Sequence, residues 1–356
     1  MAGRAGRLGF NEIGKAIILA DTPVERAQLF QKYVLGRPED VTSSFKQRDL
    51  PTWILRLLSQ VRGVRAEEIP GLLANTFGGY SASLANPQWI RQTESDIAAL
   101  VDRLLQAGLA ERDGDLVRLT LLGRACGSSS LAFESSLRLI ELMRQLDIAR
   151  TDPVKVLGVI QVLAEMDAIY TPVMKRGRSE GIRASQVGQR YGADMAHFLQ
   201  RYCDGEFEFL ARCKRAVILY DWIDGVPIDE LERRYTTTPF QGAVSYGDIT
   251  RIADGARFHL RSAHQILSAL FPAQPNFLLA LDGLLRRLEF GLPTDAIGLM
   301  ALPVALSRGQ YLALYAEGGR SIDTVVALNA DILENCVGKA SAKTIREIGE
   351  EVAALA

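Results

Sequence analysis

The chain is 356 residues long, 48% hydrophobic and 23% charged, with a formal net charge of -1. That balance is ordinary for packed globular domains, has room for roughly two to four of them, and argues against extended disorder. Near-neutrality confines any nucleic-acid-binding surface to a local patch, and no apolar run approaches the roughly 20 residues that a membrane helix needs.

Residues 15–20, Lys15-Ala-Ile-Ile-Leu-Ala20, form a short apolar run bounded by Gly14 and Asp21-Thr-Pro23, which reads as one buried strand. A lone strand cannot bury itself, so the first 30 residues read as the end of a larger domain, followed by a linker over 31–48. From 49 to 128 the pattern changes to short amphipathic helices. Trp53, Ile54, Leu57, Leu58 and Val61 recur at helical spacing, as do Ile97, Leu100, Val101, Leu104 and Leu105, with Gly108 at a helix end. Leu109 to Thr120 then reads as two short strands around an Asp113-Gly114 turn. Helices closed by a small hairpin outline a winged helix. Residues 129–290 are almost wholly helical in pattern, punctuated near Pro153, Pro172, Gly177, Pro227, Pro239 and Pro272, and 291–356 form a last group of short helices.

Cys126, Cys203, Cys213 and Cys336 include no C-x-x-C pair, which fits a reducing compartment and offers no zinc spacing. His259 and His264 are five residues apart, off a shared helix face, so no metal site is expected. Glycines and charges interrupt any signal-like core in residues 1–20, and a cytoplasmic protein with no membrane association is expected.

Gly3-Arg4-Ala5-Gly6-Arg7 carries the most chemical information. A forked guanidinium can hold a phosphate's negative charge through paired hydrogen bonds, and the glycines let the backbone approach closely. The bland alternative is a glycine- and arginine-rich tail. No G-x-x-x-x-G-K-[ST] loop and no metal-binding Asp-Glu motif follows anywhere in the chain, so Arg4 and Arg7 have no phosphate cradle of their own. Further on, Leu219 to Tyr235 reads as a helix end, a turn at Gly225-Val-Pro227 and a second short helix, and Tyr246 to Leu260 as a longer helix for which Asp248 supplies a cap.

These stretches together resemble the C-terminal half of Ski-like superfamily 2 DNA helicases, of the archaeal fork-repair and polymerase-theta-helicase-like group. Residues 3–7 are similar to the Q-x-x-G-R-A-G-R motif, starting after its glutamine, and 217–235 to W-I-D-E-x-P-x-x-x-I-x-x-x-Y. Residues 246–260 are similar to G-D-[IL]-x-R-x-x-x-x-A-x-W. The hairpin closing on Leu121-Leu122-Gly123-Arg124 resembles a T-P-L-G-R ending, with leucine in place of proline.

The resemblance implies a mainly α chain. Its parts would be the remnant of a RecA-like α/β domain (1–30), a winged helix (49–128), a helical-bundle ratchet domain (129–290) and a helix–hairpin–helix-like C-terminal domain (291–356). It also implies an ATP- and Mg-dependent 3′–5′ helicase whose missing RecA-like motor domains lie in cis or in trans, with this chain gripping single-stranded or forked DNA and inactive as an ATPase by itself. Arg4 and Arg7 would face the nucleotide. In the ratchet helix an arginine and an aromatic seven residues apart touch phosphate and base. Arg251 and Phe258 take those positions, with phenylalanine for the usual tryptophan, and Arg257 and Arg261 add charge nearby. Seven residues is two helical turns, so both side chains point the same way. From spacing alone, Phe258 reads equally as core and Arg251 as a solvated charge. The hairpin pattern P-G-[IV]-G is Pro303-Val-Ala-Leu306 here. Without its glycines, backbone N–H groups lose their close approach to a phosphate, so packing rather than DNA grip is expected. The competing class is a stand-alone interaction or adaptor module derived from a helicase and without ATPase activity.

Overall fold

In the computed structural model the chain is described over residues 17–37, 41–174, 178–238, 240 and 242–355, and it divides into two units, Met1–Ser44 and Phe45–Ala356. Arg4 and Arg7 lie outside the described residues.

In the first unit, Thr22 opens helix α1 (Pro23–Phe30) by accepting the Glu25 N–H on its Oγ1 at 3.1 Å, and Pro23 takes a position that needs no intrahelical N–H bond. The helix runs on as a π-helical turn over Gln31–Leu35. The expected strand does not form where it is described: residues 17–20 pair with nothing as a strand, and Ile17 and Leu19 are 79% and 85% exposed. A strand's N–H and C=O groups need a neighbouring strand. Among the described residues the only sheet lies far along the sequence, between Val64 and Leu119.

The second unit begins with helices α2 (Leu50–Ser59), α3 (Ile69–Ala74), α4 (Phe77–Ala85) and α5 (Trp89–Gln106), with strand β1 (Val64–Arg65) inserted between α2 and α3. Strands β2 (Ala110–Asp113) and β3 (Leu116–Leu119) form the expected hairpin. Asp113 faces Leu116, which leaves Gly114 and Asp115 as the two-residue turn. The sheet is antiparallel in the order β1-β3-β2. Strand β1 gave no sequence signal because two residues show no alternation. Gly78, Gly79 and Tyr80 fall in the first turn of α4, capped by Thr76 Oγ1, which accepts the Gly79 N–H at 3.1 Å. Thr120 caps α6 (Leu121–Ser128) and ties it to the hairpin through a 2.9 Å bond to the Gly108 carbonyl. A Cβ at Gly123 would stand 1.8 Å from the Leu109 carbonyl oxygen, so only glycine admits this close seat of helix on strand.

Helices α7 (Phe133–Arg144), α8 (Lys155–Val159), α9 (Ala164–Asp167), α10 (Arg178–Tyr191), α11 (Ala193–Gln200), α12 (Glu206–Ile223), α13 (Ile228–Tyr235), α14 (Tyr246–Leu270) and α15 (Pro275–Phe290) complete a bundle. One hydrophobic core runs without a break from Leu50 to Leu288, so the hairpin region and the bundle share an interior. The fold is mainly α, with one small three-stranded sheet.

Helix α12 is the axis of this bundle. Nearly every residue from Leu210 to Ile223 is buried, including Arg212, Lys214 and Arg215. Each cation is answered. Arg212 donates to Asp167 at 2.6 and 3.0 Å and to the Leu199 and Arg201 carbonyls at 3.1 and 2.8 Å. Arg215 donates to Asp167 at 2.8 Å, Gln161 at 3.1 Å and Thr171 at 3.2 Å, while Lys214 meets Glu180 at 2.7 Å. Burial opposes the charged form of all three. At Arg212 the hydrogen-bonded Asp167 carboxylate outweighs burial and raises the pKa; at Arg215 and Lys214 burial prevails.

A second core, from Leu292 to Ile345, is built by a 3-10 segment (Thr294–Ala301) and helices α16 (Arg308–Ala316), α17 (Ile322–Val326), α18 (Ala330–Val337) and α19 (Lys339–Leu355). It joins the bundle at Gly291, which sits in the left-handed region at φ +63°. A Cβ there would lie 2.5 Å from the Trp222 ring and 2.3 Å from Arg308 Nε. Arg308 stacks over Trp222 at 4.3 Å and donates to the Gly291 and Val226 carbonyls at 2.9 and 2.8 Å. Burial lowers its pKa to about 10.

Removing one side of a buried ion pair strands the other charge in a low-dielectric interior, at a cost of about 3–5 kcal/mol. Asp167→Ala strands two guanidinium groups and is expected to lower unfolding stability by at least about that amount, read as a fall in the urea midpoint. An unchanged midpoint would mean that the network does not hold the bundle.

Candidate nucleic-acid interface

Helix α14 runs for 25 residues, held at its start by a capping box. Ser245 Oγ accepts the Asp248 N–H at 3.3 Å and Asp248 Oδ2 accepts the Ser245 N–H at 3.0 Å. The cap proper is therefore Ser245, and the carboxylate of Asp248 acts from the third helical position. Ile249, Ile252, Ala253, Ala256, Leu260, Ala263, Ile266 and Leu267 form the buried stripe of an amphipathic helix. They pack α14 against α6, α7, α12 and α15, and Ser262 fastens it to Ser130 at 2.7 Å.

The opposite stripe is open. Arg251, Asp254, Phe258, Arg261 and Gln265 recur at steps of three and four and are exposed. Phe258 is 58% exposed, so it is a surface aromatic and not part of the core. Arg251 and Phe258 differ by roughly 20° around the helix at 100° per residue, which puts guanidinium and ring on one line. Arg251 makes a local ion pair with Asp248 at 3.1 Å. Arg257 turns aside to Glu289 at 2.9 Å and is half-buried, while Arg261 has no ion-pair partner among the described residues. The predicted cluster is thus split. Arg251, Phe258 and Arg261 share the open stripe, whereas Arg257 belongs to the seam with α15.

That seam was not anticipated. Arg257 pairs with Glu289 and His264 Nε2 lies 3.2 Å from the Leu278 carbonyl, so the two helices run antiparallel. Beside the open stripe they form a cleft of about 430 Å³ whose lining includes Arg257, Arg261, Arg286, Asp282, Glu289 and Leu279, with Ile297 from the 3-10 segment. A second cleft of about 300 Å³ lies toward the start of α14, between Trp222, Tyr246, Thr250 and Arg308. Leu279 could have been flagged from sequence. Phe277, Leu281, Leu284 and Leu288 make the buried stripe of α15, and Leu279 stands off it, 70% exposed.

His259 lies on the inward side of α14, its ring edge-on to Phe258 at 5.2 Å, and its Nδ1 has no hydrogen-bond partner. Burial lowers its pKa, with Glu165 opposing. Among the described residues no cluster of His, Cys, Asp or Glu could hold a metal ion, and no helix is long and apolar enough to cross a membrane.

Over residues 156–291 the sequence matches the family described as archaeal helicase, domain 4. This span holds α12, α14 and α15 together. The chain is similar to the ATP-dependent DNA helicase Hel308 of Caldivirga maquilingensis, 26% identical over 99% of this chain and 45% of that protein. It is also 27% identical to the Hel308 of Pyrococcus horikoshii, over 99% of this chain and 47% of that protein. These matches make the chain similar to the C-terminal region of Ski2-like archaeal helicases. It spans about half the length of the curated relatives it matches.

The inward histidine of α14 gives a pH prediction. In the unfolded chain His259 takes a proton near its ordinary pKa of 6.5, but in the fold only at lower pH. Its neutral form is therefore favoured by folding, and the stability it contributes is intact above about pH 6.5 and declines as pH falls through the lowered value. Urea unfolding followed across that range should show a shallower acid-side loss for His259→Gln than for the wild type. An identical slope would remove His259 from the account.

Proposed function

We propose that this chain is the strand-gripping and bracing half of an ATP-dependent 3′–5′ DNA helicase, with the exposed stripe of α14 as its contact to single-stranded DNA. The observation that carries this reading is the exposure of Phe258 on one line with Arg251. A surface aromatic offers a face on which a base stacks, and a guanidinium two turns away reaches the phosphate path. Each such stacking contact is worth roughly 1–3 kcal/mol. Phenylalanine presents a smaller face than tryptophan and stacks at the lower end of that range. Arg261 extends the stripe toward the end of α14.

The other parts follow the same reading. The helices around the β1-β3-β2 sheet act as a winged helix over 49–128, residues 129–290 as the ratchet domain, and 291–356 as a degenerate helix–hairpin–helix domain. The last is a packing element: Arg308, which follows the hairpin segment 303–306, spends its guanidinium on Trp222 and the backbone carbonyls. The exposed apolar side chains of the first unit, Ile17, Leu19, Phe30 and Leu35, are suited to a RecA-like motor domain supplied in cis or in trans. Arg4 and Arg7 would then face the ATP and Mg held by that motor.

A helicase-derived adaptor that no longer binds DNA is the second reading. Its support is the self-neutralisation of Arg251 by Asp248 and of Arg257 by Glu289. Fluorescence anisotropy with a labelled single-stranded oligonucleotide separates the two. The helicase reading expects salt-sensitive binding that weakens about five- to tenfold in Arg251→Ala and in Phe258→Ala, as loss of roughly 1 kcal/mol or slightly more requires. Weak, salt-insensitive binding that neither variant alters would favour the adaptor.

A further inference from the structure

Beside the open stripe lies a cleft whose chemistry the proposed grip does not use. Its α14 wall is Arg257 and Arg261, its α15 wall is Leu279, Asp282 and Arg286, and Ile297 closes one end from the 3-10 segment. Of the two carboxylates here, Glu289 holds Arg257 at 2.9 Å, and Asp282 stands 3.7 Å from His264 Nε2, an ion pair only when that ring carries a proton. Arg261 and Arg286 have no ion-pair partner among the described residues, and both are exposed. Leu279 is also exposed, at 70%, on a helix whose other large apolar side chains are mostly buried.

A cleft of about 430 Å³ with one guanidinium on each wall, Arg261 on α14 and Arg286 on α15, and the apolar side chains Leu279 and Ile297 beside them, matches one kind of ligand. That ligand carries a phosphate and a flat, weakly polar ring at nucleotide distance. Arg261 belongs both to this cleft and to the stripe with Phe258. At about 100° per residue it lies roughly 60° around α14 from Phe258, so a chain leaving that ring passes directly onto the cleft.

We propose that the α14–α15 cleft is a second nucleotide subsite for single-stranded nucleic acid, in which Arg261 and Arg286 hold a backbone phosphate and Leu279 with Ile297 seats the adjoining base. The Arg257–Glu289 pair forms its fixed wall. This subsite rests on the single-strand reading of α14 and adds to it a contact on a different helix. It places Arg286 and Leu279 among the strand-binding residues.

The test uses the full chain and a fluorescein-labelled all-thymidine oligonucleotide, read by anisotropy over a range of salt. Arg286→Ala should weaken binding about fivefold and make the slope of log affinity against log salt shallower by about 0.7, the value for one phosphate contact on a single strand. Arg286→Lys should restore the salt slope. Leu279→Asp should weaken binding to the intact oligonucleotide, and by less to one carrying abasic spacers, since only the former offers bases to seat. Both side chains are exposed, so these variants should keep the wild-type unfolding midpoint. Arg251→Ala and Phe258→Ala are measured in parallel. If those two weaken binding while Arg286→Ala and Leu279→Asp do not, the subsite is overturned and the stripe stands. If the wild type shows no salt-sensitive binding, the strand reading fails and takes the subsite with it.

Discussion

Asp167 is the fixed point around which the bundle is arranged. Its two carboxylate oxygens hold Arg212 and Arg215, both on α12 and both without solvent to screen them. A helix buried on all sides would ordinarily be apolar on all sides. Here cations occupy three of its interior positions, each demanding a carboxylate, an amide or a carbonyl at a set place. Asp167 at the end of α9, Glu180 in α10 and the Leu199 and Arg201 carbonyls at the C-terminal end of α11 meet that demand. The short helices before α12 are thereby placed by polar geometry, and greasy contact alone would not specify their positions so closely.

The same arrangement determines where α14 stands. It packs against α6, α7, α12 and α15, leaving a single stripe uncovered. Because the core runs on from the hairpin region into the bundle, α14 is braced from both. A long helix supported along its length holds its exposed side chains at fixed spacing. The pairing of Arg257 with Glu289 in the seam keeps α15 in register beside it, and the stacking of Arg308 on Trp222 pins the C-terminal cluster to the end of α12.

Residues whose role depends on local chain geometry were legible in the sequence. The hairpin turn, one residue on from the expected Asp113–Gly114 at Gly114–Asp115, the helix end at Gly108, the break at Gly225 and the amphipathic spacing of α5 all depend on neighbours within a few positions. The strand expected at 15–20 was a different case. Its pairing partners would be remote, and where it is described it stays unpaired. Phe258 shows the limit of spacing: an aromatic two turns from an arginine reads equally as core or surface, and only the packing of α14 on its other side left the ring in solvent.

By itself, then, the sequence determined the helical make-up, the hairpin, the turns and the resemblance to a helicase family, since each is written in periodicity or in short motifs. Tertiary structure decided the rest: that α12 buries its cations, that Arg251, Phe258 and Arg261 share an open face while Arg257 does not, and that Arg286 and Leu279 stand beside them. Burial and facing direction are set by which helices meet, and that depends on contacts between residues dozens of positions apart, such as Asp167 with Arg212 and Arg257 with Glu289.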